Sequence, residues 1–180
     1  LGAQASSLSG EKRFAEAILN TILGGNMSSR LFQEIREKRG LAYSLYSHIS
    51  AYMDTGLIRI YVATDKEKIN RVLELIGLMI KRIQDGDLST SDMARTREYL
   101  IGGILLGSEY MDNLMIRLAK NEFIFERYIS YEELIAELEK VTLDEVVEVS
   151  ERIFSAGRIS LTVLGPVDRD KIVVDPLNFC

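Results

Sequence analysis

Several residue types are rare or absent in this sequence of 180 residues. It contains one cysteine, Cys180, one histidine, His48, two prolines and no tryptophan. A single cysteine excludes an internal disulfide bond and a cysteine-rich zinc site. Catalytic zinc motifs such as H-x-x-E-H need two histidines on one helix, so this chain alone cannot build one. We therefore expect no metal site within the chain.

Neither sign of charge dominates, and no long hydrophobic run is present. The 22 lysines and arginines against 27 aspartates and glutamates give a formal net charge of −5. A mildly acidic surface argues against nucleic-acid and anionic-membrane partners. The apolar stretch from Tyr99 to Gly107 is too short to span a bilayer, and no signal-peptide pattern opens the chain. We expect a soluble, cytoplasmic protein, and the initial Leu1 suggests a segment of a longer polypeptide.

Hydrophobic periodicity predicts the order strand, two helices, hairpin, about five helices, strand. The predicted strands are residues 1–7, 43–52, 57–64 and 158–164. Two helices are predicted before the hairpin, over 14–22 and from Ser28 or Ser29 to Gly40. Five helices are predicted after it: one capped by Asp65, one from about 90, one over 109–126, one over 131–139 and one capped by Thr142 and Glu145. This order fits an α+β fold. We expect a two-layer α/β sandwich whose mainly antiparallel sheet is covered by helices on one face.

Within the predicted hairpin, alternation assigns side chains to two faces of the sheet. Tyr43, Leu45, Ser47, Ile49 and Ala51 are expected on one face of the first strand. In the second strand the apolar residues Ile58, Ile60 and Val62 face one way, and the side chains of Arg59 and Tyr61 face the other.

Two features of the sequence have a structural and a functional interpretation. Gly24 and Gly25 lie just before a helix start, where free backbone donors can bind phosphate, but the Lys-Ser/Thr ending of a P-loop is missing. A tight turn with positive φ is the more common explanation. His48 can act as a base, yet no serine or cysteine nucleophile is marked by a motif, so a structural role is favoured.

The strongest signal is one continuous segment. Residues 23–44 run LGGNMSSRLFQEIREKRGLAYS. As a unit this segment closely resembles the C-terminal half of pitrilysin/insulinase-type zinc peptidases, and its spacing is most like the mitochondrial-processing-peptidase-like branch. The resemblance continues to Leu164-Gly165-Pro166 and so covers residues 1–166. Asn26 departs from the pattern, since many relatives carry another glycine there.

The resemblance implies an architecture for the full enzyme. In this family two homologous α/β halves close around an unfolded peptide, and the N-terminal half binds zinc. Residues 1–166 would be the C-terminal half-domain without the zinc motif, and residues 167–180 a tail or linker. Zinc would then be held by an N-terminal half in cis or by a zinc-bearing subunit in trans, and a homodimer also stays open.

The resemblance also implies site residues. The family's C-terminal half contributes an arginine and a tyrosine seven residues apart, which map onto Arg36 and Tyr43. A guanidinium and a phenol can stabilise the peptide oxygen that becomes anionic when water attacks the carbonyl. Gly24, Gly25, Tyr43 and Ser44 are the expected substrate-binding residues.

Two classes of function follow from this resemblance. The first is the non-zinc half of a clamshell zinc metalloendopeptidase, which binds extended peptide and stabilises the transition state. The second is a catalytically silent scaffold or interaction subunit, as in the respiratory-complex core proteins that the family resembles. The presence of Arg36 and Tyr43 favours the first. An anion-binding module at Gly24 and Gly25 ranks below both and requires phosphate at the Ser28 helix start.

Overall fold

The structure is a computed structural model that describes residues 1–177, so Cys180 and the end of the predicted tail lie outside the described residues. Its elements are β1 (Gly2–Ala5), α1 (Arg13–Leu23), a π-helix (Phe32–Glu37), β2 (Ala42–Ala51), β3 (Gly56–Thr64), α2 (Ile69–Gln84), α3 (Thr90–Ser108), α4 (Met111–Phe125), α5 (Tyr131–Lys140), α6 (Leu143–Ile153) and β4 (Ile159–Ser160), with short 3₁₀ turns at Lys66–Lys68, Arg169–Lys171 and Asp175–Leu177. The α+β prediction is confirmed.

The sheet is antiparallel throughout, with the strand order β2-β3-β1-β4. The predicted hairpin is confirmed, because β2 pairs with β3 from Ala51 opposite Gly56 to Ala42 opposite Thr64. The predicted last strand over 158–164 is too long. Within residues 1–177, β4 consists of Ile159 and Ser160, which pair with Ala3 and Gly2 of β1.

The helices cover one face of this sheet, as expected. Inward residues of the strands meet the apolar faces of α1, α2 and α6, and the fully buried residues include Ile18, Leu19, Ile58, Ile80, Val146 and Val149. Burying one such side chain stabilises a fold by about 1.5–3 kcal/mol. The outward residues of β3, Arg59 and Tyr61, remain exposed, so the predicted alternation in β3 is confirmed.

The second helix differs from the prediction. It is a π-helix in which the Lys38 amide donates to the Gln33 carbonyl, five residues back, at 2.9 Å. Neither Ser28 nor Ser29 caps it, because no side-chain capping hydrogen bond is made at its start, and the Ser29 hydroxyl donates to the Asn26 carbonyl. Asp65 likewise makes no capping hydrogen bond and begins a 3₁₀ turn before α2.

The start of α6 and the residues after 166 both make defined contacts. The Thr142 and Glu145 capping box is present at the start of α6. Along the predicted tail, Leu177 is buried in the core, and the Asn70 amide group bonds the backbone at Lys171 and Val173. The described part of the tail is therefore packed against α2, and the boundary at residue 166 stays a prediction.

A buried acid that periodicity did not reveal joins three elements. Glu16 on α1 is 1% exposed, and both its carboxylate oxygens accept the Ser6 amide at 3.0 Å. It also accepts the Ser6 hydroxyl at 2.7 Å and the guanidinium of Arg152 on α6. Because a buried carboxylate is costly without such partners, this cluster fixes how α1 and α6 meet the chain after β1.

We expect Glu16→Gln to destabilise the fold by about 1.5–3 kcal/mol, the range for a hydrogen bond to a charged group. The neutral amide cannot accept from all three donors and presents its own donor to Arg152. Thermal unfolding should show a lower Tm than for the wild type, whereas the exposed control Glu11→Gln should leave it unchanged. Equal Tm values for the two variants would contradict a structural role for Glu16.

Candidate functional site

Tyr43 lies on a β-bulge at the start of β2. The pairing register with β3 shifts between Ala42 and Ser44, which leaves Tyr43 as the extra residue. Its side chain is 87% exposed, although alternation predicted it on the same face as the buried Leu45. That prediction is wrong because a bulge changes the order in which side chains point. With Gly40, Thr64, Asp65 and Lys68, it lines a depression of about 470 Å³.

Arg36 is the exposed cation at the end of the π-helix. Its guanidinium carbon lies 4.8 Å from the centre of the buried Phe32 ring, a cation–π contact that orients the side chain. The neighbouring Lys38 and Arg39 both bond Glu34. The ammonium of Lys38, followed by the guanidinium of Arg39, lowers the pKa of Glu34. Arg36 differs from these two cations, because it forms no ion pair with a carboxylate among residues 1–177.

A short turn connects these two residues. Gly40 has φ of +57°, the left-handed conformation that favours glycine, and its amide donates to the Arg36 carbonyl at 3.0 Å. The Leu41 amide donates to the Ile35 carbonyl at 2.9 Å. Gly40 ends the helix, as predicted, and the turn fixes the backbone between Arg36 and the bulge.

Gly24 and Gly25 are required for close packing rather than for positive φ. Neither residue is among those with positive φ, so that part of the prediction is wrong. The Gly24 carbonyl accepts the Ser47 amide of β2 at 2.8 Å, and a Cβ on Gly24 would lie 2.9 Å from that nitrogen. A Cβ on Gly25 would lie 2.8 Å from the Thr21 Cα. Sequence reasoning missed Ser47, whose only signal was a small polar residue at an inward strand position.

Several polar groups of the segment after these glycines have partners within the described chain, although one guanidinium nitrogen of Arg30 is buried without a hydrogen bond. The Ser28 amide donates to the Asn26 side chain at 2.8 Å. Arg30 lies between two acids, with its guanidinium nitrogens 3.6 Å from the carboxylates of Asp87 and Asp92. A cleft of about 510 Å³ adjoins this segment. Because the Ser28 amide is bonded to Asn26 and two acids surround the Arg30 guanidinium, the segment does not favour an anion-binding module.

Among residues 1–177, β2 lies at the edge of the sheet, and Gly24 occupies this edge at Ser47. Since the Ser47 amide points away from β3 to Gly24, alternation directs the backbone groups of Leu45 and Ile49 to the same side. A cavity of about 320 Å³ lies beside Ile49 and is also lined by Asn20 and Leu100. The Asn20 side-chain oxygen is buried there without a hydrogen-bond partner in the described part of the chain.

No metal centre accompanies these residues in the part of the chain that the structure describes. Residues 1–177 contain no group of three or more His, Cys, Asp or Glu side chains able to hold a metal ion. His48 lies on the uncovered sheet face, opposite Arg59 of β3. Within the same residues, no helix has both the length and the apolar character to cross a membrane.

Comparisons with known proteins agree with this architecture. Residues 1–100 match the family model described as the peptidase M16 inactive domain. An uncharacterized zinc protease of Streptomyces coelicolor is 37% identical over 95% of this chain and 37% of its own length. A conserved protein from Enterococcus faecalis V583 has a similar structure, with a TM-score of 0.75 and 26% identity over 84% of this chain and 36% of its own.

The chain therefore belongs to the peptidase M16 family and carries its inactive-type domain. It spans a little over a third of the length of the relatives it matches. A similar fold also occurs in a chain of Complex III2 from Candida albicans, with a TM-score of 0.71 at 12% identity over 85% of this chain and 39% of that one.

We expect Gly24→Ala to destabilise the protein by about 1–3 kcal/mol, because the new methyl group overpacks against the Ser47 backbone. The matched control is Gly103→Ala in α3, where a Cβ meets nothing within 4 Å. There the change should stabilise the helix by roughly 0.5–1 kcal/mol. Urea unfolding of both variants measures the difference, and a neutral Gly24→Ala would show that the close approach is not required.

Proposed function

We propose that this chain is the non-zinc half of a clamshell zinc metalloendopeptidase and that Arg36 and Tyr43 act on the substrate. The observation that carries this proposal is that one short, hydrogen-bonded turn connects Arg36, which is exposed and has no acid partner among residues 1–177, to Tyr43, which a bulge presents to solvent. The relatives' name, zinc protease, supports the reaction class. Bulges commonly re-aim side chains beside active sites.

The chain itself does not fit a zinc ion, since residues 1–177 offer no ligand set. A zinc-binding half, in cis or in trans, would hold the metal. The role of this chain is to bind and polarise the peptide. The Arg36 guanidinium and the Tyr43 hydroxyl donate hydrogen bonds to a substrate carbonyl oxygen, and these bonds strengthen as negative charge develops on that oxygen.

The edge of β2 would align an extended peptide next to this pair. Gly24 occupies this edge at Ser47, so the peptide would pair on the Tyr43 side of that contact, at the backbone groups of Leu45. Main-chain hydrogen bonds of this kind bind peptides with little dependence on sequence. Ser44 lies between the edge and Tyr43. In this proposal Gly24 and Gly25 contribute by holding α1 against the edge, which limits where the peptide can lie.

A second candidate function is a catalytically silent scaffold or interaction subunit. The similar fold of the Candida albicans Complex III2 chain favours it, as does the name of the matched domain, which is an inactive one. The two candidates predict different effects of substitutions at Arg36 and Tyr43. A scaffold does not require hydrogen-bond donors that strengthen only in a transition state.

The isolated chain should bind no stoichiometric zinc and hydrolyse no peptide, because it lacks two histidines for a catalytic site. Metal analysis after purification without chelators, together with a fluorogenic peptide assay, tests this. Adding a zinc-binding half should restore peptidase activity. Tight zinc binding with turnover by the chain alone would contradict the proposal.

In the enzyme reconstituted with a zinc-binding half, Tyr43→Phe and Arg36→Ala should lower kcat and change KM less. Loss of one such donor costs about 2.7–4 kcal/mol, roughly 10²-fold to 10³-fold in rate. Tyr52→Phe and Arg158→Ala, two exposed residues outside the site, are the matched controls.

Unfolding experiments separate a catalytic from a structural effect. Tyr43 is exposed, so Tyr43→Phe should leave the Tm unchanged, whereas a buried tyrosine would lose a hydrogen bond worth about 1 kcal/mol. If both site variants are folded, bind the zinc half and keep wild-type turnover, the catalytic proposal fails and the scaffold is favoured.

A further inference from the structure

The Arg36 side chain is held by an aromatic ring and not by an acid. Its guanidinium carbon lies over the Phe32 ring, 4.8 Å from the ring centre. Among residues 1–177 the guanidinium forms no ion pair and donates no hydrogen bond, whereas the cations of Lys38 and Arg39 both donate to Glu34. Of these three cations in the described chain, Arg36 alone is in contact with a fixed group while its N–H donors remain free.

Phe32 is well placed to fix another side chain, because it is itself buried in the core. It is 8% exposed and belongs to the same hydrophobic cluster as the fully buried Leu31 and Ile35. The face of an aromatic ring carries partial negative charge and attracts a guanidinium, most strongly where the contact is shielded from water. The ring therefore offers the exposed Arg36 side chain a stationary surface.

The backbone brings the two side chains together. They lie four residues apart on the π-helix, and helical side chains lean toward the N-terminus, so Arg36 extends back over Phe32. The Arg36 carbonyl accepts the Gly40 amide at 3.0 Å, which fixes the backbone where this side chain begins. The freedom that remains to the guanidinium is rotation about its side-chain bonds, and the contact with the ring restricts that rotation.

We propose that Phe32 is a positioning residue, whose ring holds the Arg36 guanidinium in the orientation that meets the substrate oxygen. This inference rests on the proposed function of Arg36. An acid in place of the ring would also fix the guanidinium, but its oxygens would occupy the N–H donors and neutralise the charge. A ring attracts the cation through its face and accepts none of the in-plane hydrogen bonds that a substrate oxygen requires.

The simpler alternative is that Phe32 only fills the core. In that case the volume of its ring matters, and the charge distribution of the ring does not. Fluorine atoms separate the two effects, because each one withdraws electrons from the ring face while enlarging the ring only slightly. Site-specific replacement of Phe32 by mono-, di- and trifluorinated phenylalanine therefore weakens the attraction for Arg36 in steps and leaves the packing nearly intact.

The first test measures turnover of these variants in the enzyme reconstituted with a zinc-binding half. We expect kcat to fall with each added fluorine, by roughly two- to fivefold in total, with KM nearly unchanged. The Tm should stay the same across the series. In the Arg36→Ala background the same replacements should leave kcat unaltered, because no guanidinium is left to position.

Phe14 is the matched control for ring chemistry. The Arg13 guanidinium carbon lies 4.4 Å from the centre of its ring, but Arg13 also donates to the Gly10 carbonyl at 3.1 Å. This pair adjoins the cavity beside Ile49 and not the depression that Tyr43 lines. Fluorinated phenylalanine at Phe14 should therefore leave both kcat and KM unchanged.

The second test observes the contact in the 180-residue chain without an activity assay. Protons above the face of an aromatic ring resonate upfield in NMR spectra. The Arg36 side-chain protons next to the guanidinium should therefore lie upfield of the equivalent protons of Arg158, which is exposed and has no cation–π contact within residues 1–177. Phe32→Leu should remove this upfield shift.

The outcomes distinguish this inference from the function on which it rests. If Arg36→Ala slows turnover but ring fluorination does not, or if the Arg36 protons are not shifted, the positioning role of Phe32 is overturned and the role of Arg36 stands. A decrease in kcat that is equally large with and without Arg36 also overturns it and indicates a packing effect. If Arg36→Ala keeps wild-type turnover, the proposed function fails, and the positioning role fails with it.

Discussion

The end of helix α1 meets the free edge of β2 at Gly24, with no side chain between the two backbones. The hydrogen bond from the Ser47 amide to the Gly24 carbonyl sets the distance between helix and strand. Residues 25–40 form a loop and the π-helix, and they connect this contact to the start of β2. The positions of Arg36 and Tyr43 therefore depend on it, although no hydrogen bond among residues 1–177 joins either residue to Gly24.

Much of this fold can be predicted from local patterns in the sequence. Alternation in β3 and three- and four-residue spacing in α2 each reflect burial on one side, and burial dominates stability. The capping box of Thr142 and Glu145 is also local, since both hydrogen bonds are made within four residues. Such features need no knowledge of the rest of the chain, and they were predicted.

The features that escaped prediction depend on partners far away in sequence or on small changes of backbone. Glu16 looks like a surface residue of an amphipathic helix until Arg152, 136 residues later, meets it. A π-helix and an α-helix both bury Phe32 and Ile35, so spacing does not distinguish them. The bulge at Tyr43 adds one residue to a pattern of period two, which reverses the predicted side of a single residue. The resemblance to a family predicts that Tyr43 is a site residue, whereas alternation alone places it on the buried face.

The bulge also bears on whether the domain serves catalysis or only assembly. A single exposed tyrosine needs no explanation, because isolated apolar side chains are common on protein surfaces. Here the exposure has a cost in pairing, since the bulge leaves Tyr43 out of the β2–β3 ladder. In the described part of the chain, the same short stretch pairs both Lys38 and Arg39 with Glu34 and leaves Arg36 without an acid. An arrangement that only had to be stable would gain from a regular ladder and a neutralised cluster. Both departures are useful if a negatively charged oxygen from outside the chain comes to lie between Arg36 and Tyr43.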